Sequence, residues 1–253
     1  MMMMMKYILP VVIFVLLLLI IVIIVCNCIK RDTFVSDSTV DGIHRPSHPP
    51  WYKDIPESHK EVKELERLTM EQSSRVPLYT PKGFEKRKMP QELFDYLLNV
   101  SRTVDRQKEG KNNIFRRTSS GPPPYIIPIS PEKKKWVHTI LKPILEEWSG
   151  IELEDTSAYG PREYRRGSSL RMHVDTEGTH IISVILHIEH KNMDKDWPLV
   201  VINRDGDREE IFMNAGDMVL YESASLPHSR EQELKGDYYV NMFIHFKPKE
   251  NNK

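Results

Sequence analysis

Residues 169–180 read SLRMHVDTEGTH, and His173 and Asp175 stand one residue apart within them. A β-strand turns residues i and i+2 to the same face, so this pair can offer an imidazole and a carboxylate to one metal ion. A rival pair with the same spacing, His187 and Glu189, lies in THIISVILHIEH. Context separates the two. The Glu177-Gly178 turn follows the first pair at once, which places it at a strand end, where ligands enter a barrel mouth. The second pair lies deep in a long strand and is expected as a polar stripe on its outer face. A two-His-one-carboxylate triad needs another His from a distant strand. His228 in SASLPHSRE is the candidate: it follows the strand-like DMVLYES and lies 55 residues beyond His173. A jelly roll brings an early and a late strand side by side across such a separation. His180, His187, His190 and His245 are expected as surface or core histidines.

These residues need a scaffold, and the periodicity supplies one. Pro90 opens a helix with Leu93, Phe94, Leu97 and Leu98 on one face. Ser130-Pro131 reads as an N-cap and first helical residue. The helix that follows carries Trp136, Val137, Ile140, Leu141, Ile144, Leu145 and Trp148 at helical spacing, with a kink expected at Pro143 and an end at Gly150. Beyond Gly150 the period shortens to two. SSLRMHV, THIISVILHIEH, PLVVIN, REEIFMN, DMVLYES and DYYVNMFIHF are β-rich runs separated by turn signals. Helices first and strands after predict an α+β fold, with a jelly roll backed by helices.

The first thirty residues differ in kind. From Tyr7 to Val25 run nineteen residues without a charge, long enough to span a bilayer and too long for a secretory h-region. Residues 1–30 are therefore expected as a transmembrane signal anchor. Residues 31–82 read as a polar stalk with one short charged helix, whose apolar stripe is Val62, Leu65 and Leu68. Residues 83–150 read as a helical support region and 151–250 as the β core. Both cysteines, Cys26 and Cys28, sit at the membrane edge, so the β core can hold neither a disulfide nor a thiolate zinc site. Lys+Arg and Asp+Glu balance at 36 each, which argues against a nucleic-acid partner. Asn99-Val100-Ser101 is a glycosylation sequon inside a predicted helix.

The stretches YGPREYRRGSSLRMHVDTEGTHIISVILHI and NAGDMVLYESASLPHSREQELKGDYYVNMFIHFKP together resemble the catalytic domain of prolyl 4-hydroxylases and their relatives. The resemblance is carried by Tyr159-Gly160, His173-x-Asp175, the Gly216-Asp217 turn, His228 and the closing aromatic strand ending at Pro248. It implies a double-stranded β-helix, Fe(II) held by His173, Asp175 and His228, and oxidative decarboxylation of 2-oxoglutarate to succinate with O2. It also implies ascorbate as the reductant that maintains the iron. Three ligands on one face of an octahedral ion leave positions for a bidentate 2-oxo acid and for O2. Such a site must exclude water, so a lid is expected, with the 101–124 loop as its candidate.

One departure from the family concerns the co-substrate. Its distal carboxylate needs a fixed cation. The family places a Lys or Arg nine or ten residues after the distal His, where this chain has Asp237 and Tyr238. Arg230 is the first substitute, two residues past His228 on the same strand face. Lys235 is second, and Arg171, by parity with His173, is third. Tyr159 and Tyr164 are candidates to hydrogen-bond the co-substrate. The family tyrosine three residues before the first ligand is replaced by Leu170.

The expected function is a membrane-anchored dioxygenase that hydroxylates peptidyl proline or a similar side chain, with a protein or peptide as substrate. The catalytic domain is expected in the lumen of the endoplasmic reticulum or another secretory membrane. Two alternatives stay open. One keeps the iron and takes a lysyl, asparaginyl, lipid or small-molecule substrate. The other is a non-catalytic jelly-roll binding module.

Overall fold

A computed structural model describes residues 60–109 and 119–250. The apolar run 7–25, most of the expected stalk and residues 110–118 of the expected lid lie outside them. Among the described residues no helix is long and apolar enough to cross a membrane. The elements are α1 (Lys60–Arg75), β1 (Phe84–Lys88), α2 (Gln91–Thr103), β2 (Gln107–Lys108), β3 (Ser119–Ser120), β4 (Tyr125–Ile126), α3 (Pro131–Ser149) and β5 (Leu153–Ala158). They continue as β6 (Arg162–Arg165), β7 (Ser169–His173), β8 (Ile182–Lys191), β9 (Leu199–Ile202), β10 (Arg208–Ile211), β11 (Asp217–Tyr221), β12 (His228–Arg230) and β13 (Tyr238–Pro248).

The strands form two antiparallel sheets. The larger runs β1-β11-β8-β13-β6-β4-β2, with β5 also paired to β13; the smaller runs β10-β9-β12-β7-β3. Chain order and sheet order differ at nearly every step, as a jelly roll requires. Alternation along β8 and β13 sorts the larger sheet's faces. Val184, Leu186, Met242 and Ile244 join Leu93 and Leu97 of α2 and Leu141 and Leu145 of α3 in the main core. The opposite face looks across to the smaller sheet.

The helices form as their caps predict. Ser130 accepts a hydrogen bond from the Lys133 amide at the start of α3, Pro131 follows it, and Gly150 ends the helix at φ 73°. The helix runs through Pro143. The region 83–150 is more than helical, however. Its segment FEKRK pairs with β11 as an edge strand, Phe84 opposite Tyr221. Charged residues hide this strand from a periodicity argument, and charges suit an edge.

Residues 60–82 do not stand off as a stalk. Among the described side chains of α1 the buried ones are polar, Thr69 and Ser73. Of the expected apolar stripe, Leu65 is half-buried and Leu68 faces outward. Val76 is buried, and Glu222 accepts from the Tyr79 amide, the Thr80 amide and the Thr80 hydroxyl. Arg204 pairs with the same carboxylate at 2.8 Å. The sequon lies in α2, where Ser101 is buried and donates to Glu189 at 2.6 Å.

The polar stretch after α2 bridges the sheets. β2 and β4 extend the edge of the larger sheet beyond β6, and β3 extends the smaller sheet beyond β7. Arg106 pairs with buried Glu163, and Arg162 with Glu109 at 2.6 Å. Gly160 is required where this stretch meets the core: a Cβ there would lie 2.2 Å from the Ile127 carbonyl oxygen.

Candidate metal centre

His173 and His228 face each other across the β7–β12 ladder as direct partners. Their rings lie 4.4 Å apart. Asp175 follows two residues beyond the end of β7. Its Oδ1 is 3.8 Å from His173 Nε2 and 3.9 Å from His228 Nε2. One ligand atom from each of the three residues lies within 4.8 Å of the others.

The hydrogen bonds prepare both imidazoles in the same way. His173 Nδ1 meets the Arg171 carbonyl at 2.7 Å, and His228 Nδ1 meets the Leu226 carbonyl at 2.9 Å. A carbonyl only accepts, so each Nδ1 carries the proton and each Nε2 lone pair is directed at the shared centre. Burial lowers the His228 pKa to about 4, with His173 adding to the effect, so the ring is neutral and can ligate. For Asp175 burial is the largest single influence and opposes ionisation. The imidazoles of His228, His245, His173 and His180 together outweigh it and bring the pKa to about 2. Tyr221 donates to Asp175 Oδ2 at 3.3 Å, and burial raises the tyrosine pKa so that the donor keeps its proton. Two imidazoles hydrogen-bonded through Nδ1 and one carboxylate are a donor set that fits a divalent iron.

The other candidates divide. Arg230 lies between the sheets at 2% exposure. Its guanidinium donates to the Trp197 carbonyl, approaches the Met213 sulfur, and sits 4.7 Å and 4.8 Å from the Trp197 and Tyr239 ring centres. Tyr164 is buried beside it, opposite Tyr239 in the β6–β13 ladder. Tyr159 is 43% exposed, with its ring 6.0 Å from His245.

Lys235 is not at the site, and the register does not carry Arg171 there by parity. A register shift sets His228 and Arg230 of β12 against His173 and Leu170 of β7. Two steps on one strand thus match three on the other, a β-bulge that breaks the parity relating Arg171 to His173. Leu170 takes the inward position and packs with Tyr164, Trp197 and Tyr239. Lys235 is exposed and pairs with Glu233 at 2.6 Å.

A second bulge corrects the reading of His187 and Glu189. Val240 pairs with Glu189 and Asn241 with His187, so Ile188 is the extra residue. The two side chains then leave opposite faces of β8, and both are buried. Glu189 bonds Ser101 on the helix side. His187 turns inward, stacks on Tyr239 at 4.0 Å and meets Asn241 Oδ1 at 3.0 Å. The Asn241 Nδ2 amide is thereby turned the other way, buried and without a hydrogen-bond partner among the described residues.

Three interior residues were not singled out from the sequence. Tyr221 shares a face with Val219 in DMVLYES, and Arg162 shares one with Tyr164 in REYR, so alternation could have found them. Asn241 follows from alternation with Tyr239 in the closing strand.

No protein-family model matches the sequence, and no curated protein matches it. Solved structures do. A 2OG-Fe(II) oxygenase-family oxidoreductase from Burkholderia pseudomallei superposes with TM-score 0.50 at 10% identity, covering 68% of this chain and 89% of that one. The non-heme alpha-ketoglutarate-dependent epimerase SnoN from nogalamycin biosynthesis superposes with TM-score 0.50 at 10% identity, covering 73% and 83%. A Pseudomonas putida prolyl-4-hydroxylase gives TM-score 0.48 at 16% identity, covering 67% and 94%. At these identities the likeness is one of fold: two antiparallel sheets with flanking helices, as in 2OG-Fe(II) oxygenases.

Proposed function

We propose that this chain is an Fe(II)- and 2-oxoglutarate-dependent dioxygenase that hydroxylates peptidyl proline or a similar protein side chain. The observation that carries the reading is the preparation of the triad. His173 and His228 each commit Nδ1 to a carbonyl two residues upstream and turn Nε2 toward ionised Asp175.

The co-substrate has a receptor of the right charge. Arg230 is a fully buried guanidinium, and no carboxylate of the described residues forms an ion pair with it. A buried cation in that state is costly and calls for an anion. The orphaned Asn241 amide adds a second donor from β13. These groups would hold the distal carboxylate of 2-oxoglutarate, in place of the cation that the family carries later in the chain. Bound iron with 2-oxoglutarate and O2 supplies the oxidation of a C–H bond. The chain's own part is to orient the ligands, fix the co-substrate between the sheets and hold it away from water. Ascorbate is the proposed reductant. Membrane tethering through residues 7–25, with the β core in the secretory lumen, rests on the sequence.

Anaerobic titration of 2-oxoglutarate into the Fe(II)-loaded protein tests the reading. A saturable metal-to-ligand charge-transfer band is expected. It should vanish in His228→Ala and require roughly tenfold or more 2-oxoglutarate in Arg230→Ala, since hydrogen bonds to charged groups contribute about 1.5–3 kcal/mol. No band in the unaltered protein would leave a binding module as the better description. Mass spectrometry of prolyl peptides after aerobic turnover then tests the substrate, and protease protection in microsomes tests the orientation.

A further inference from the structure

The three residues of the centre are not held in the same way. His173 and His228 are direct partners in the β7–β12 ladder. Asp175 lies beyond the last residue of β7, where no ladder continues. Its peptide has two hydrogen bonds. Its N–H donates to the Ser223 carbonyl at 2.8 Å, and its carbonyl accepts from Gln72 Nε2 at 2.6 Å. The same amide nitrogen donates to the Ala224 carbonyl at 2.9 Å. Gln72 therefore spends both amide hydrogens on the two backbone segments that meet under the carboxylate: the end of β7 and the loop that leads from Tyr221 to His228.

Gln72 belongs to α1, outside both sheets and 103 positions before Asp175. The contact is not incidental to how α1 docks. Thr69 and Ser73 flank Gln72 on the buried side of the helix. Arg75 makes a two-pronged pair with Glu177, just past Asp175. Beyond the helix, Glu222 fastens residues 79 and 80 to the same loop. These hydrogen bonds fall on residues 175–177 and 222–225, and α1 also packs along β7.

We propose that Gln72 is a positioning residue for the carboxylate of the metal centre, so that docking of α1 completes a site whose two imidazoles the sheet already holds. This inference rests on the metal-binding reading of His173, Asp175 and His228. Without Gln72 the Asp175 peptide keeps one hydrogen bond, and rotation about its free side carries the carboxylate away from the Nε2 atoms. Residues that orient a ligand typically contribute about 10- to 100-fold in metal affinity.

The test uses the full-length chain in detergent, with Co(II) as a spectroscopic metal, below the melting temperature of every variant and per folded chain. In Gln72→Leu the Co(II) dissociation constant should rise roughly tenfold or more, and the visible ligand-field bands should change as the carboxylate is released. Gln72→Met, closer in length, should behave alike and serves if the first variant folds poorly. Arg75→Ala is the control: it weakens docking of the same helix without touching the Asp175 peptide and should leave affinity within about twofold, well short of the effect of losing an orienting residue. Unchanged Co(II) affinity and bands in both Gln72 variants, beside tight binding in the unaltered chain, would overturn the inference and leave the metal site standing. An equal loss in Arg75→Ala would also overturn it, because helix docking in general would then be responsible. No Co(II) binding in the unaltered chain, or binding that survives His228→Ala, would remove the metal-site reading itself.

Discussion

The two sheets divide stability and chemistry between them. The larger sheet turns one face to α2 and α3 and buries there a continuous apolar core that includes Leu93, Leu97, Leu141, Leu186, Met242 and Phe246. The smaller sheet carries His173, His228 and Arg230; its β9 and β10 add Leu199, Val201 and Ile211 to an apolar cluster with Ile185 and Val219 of the larger sheet, whereas β7 adds only Leu170 and Met172 to small clusters. Apolar burial is the main term that holds a domain together. The difference teaches that the metal-binding strands are borne by the core and contribute little to it. Residues of β7 and β12 can therefore be chosen for ligation, and their replacement should cost function before it costs the fold.

The sharpest break of this contrast is His228→Ala. Metal affinity should fall by more than the roughly 100-fold that marks loss of a merely orienting residue, with little change in the urea midpoint of the metal-free protein. Calorimetric metal titration beside urea unfolding would show it. A collapse of the metal-free fold would mean that β7 and β12 are structural after all. The mirror experiment is Leu186→Ala on the helix-backed face. It should lose about 2–5 kcal/mol of unfolding free energy while the molecules that remain folded bind metal as before.

A smaller effect concerns the space between the sheets. Burial, then the nearby Arg230 cation, lowers the His187 pKa to about 3, although Asn241 hydrogen-bonds the ring. Exposed in the unfolded chain, the same ring titrates near 6.5. Between these values the unfolded state binds the extra proton. His187 therefore favours the fold fully above about pH 6.5, and that contribution is lost progressively as pH falls toward 3. His187→Gln should flatten this acid limb in a series of urea melts, and an unchanged slope would assign the limb to other groups. The smallest effect is expected from Ser101→Ala, which removes one hydrogen bond to Glu189 and should cost about 1 kcal/mol, with metal affinity unaltered.

How much of this was legible in the sequence depends on whether a residue's environment is set along the chain or across it. The change of period at Gly150, the caps of α3 and the triad of His173, Asp175 and His228 follow from local spacing and from the resemblance to a known family, and the structure brings those three side chains together. The inward direction of Arg230 also agrees with simple alternation from His228. Parity failed at Arg171 and at the His187–Glu189 pair for one reason. A β-bulge is a property of two paired strands, so a single strand's sequence does not record it. Lys235 failed because a cation's exposure depends on where its loop lies, and β1 was missed because edge strands tolerate charge.

What the sequence alone determined is therefore the local chemistry: which residue types can ligate, and where the main helices and the central strands lie. What only the tertiary structure decided is which face each side chain leaves by and which distant group completes it. Bulges, the burial of Arg230 between the sheets, and the reach of Gln72 to the Asp175 carbonyl are long-range contacts. Their energies depend on pairs of segments far apart in the chain, and no window of sequence contains both members.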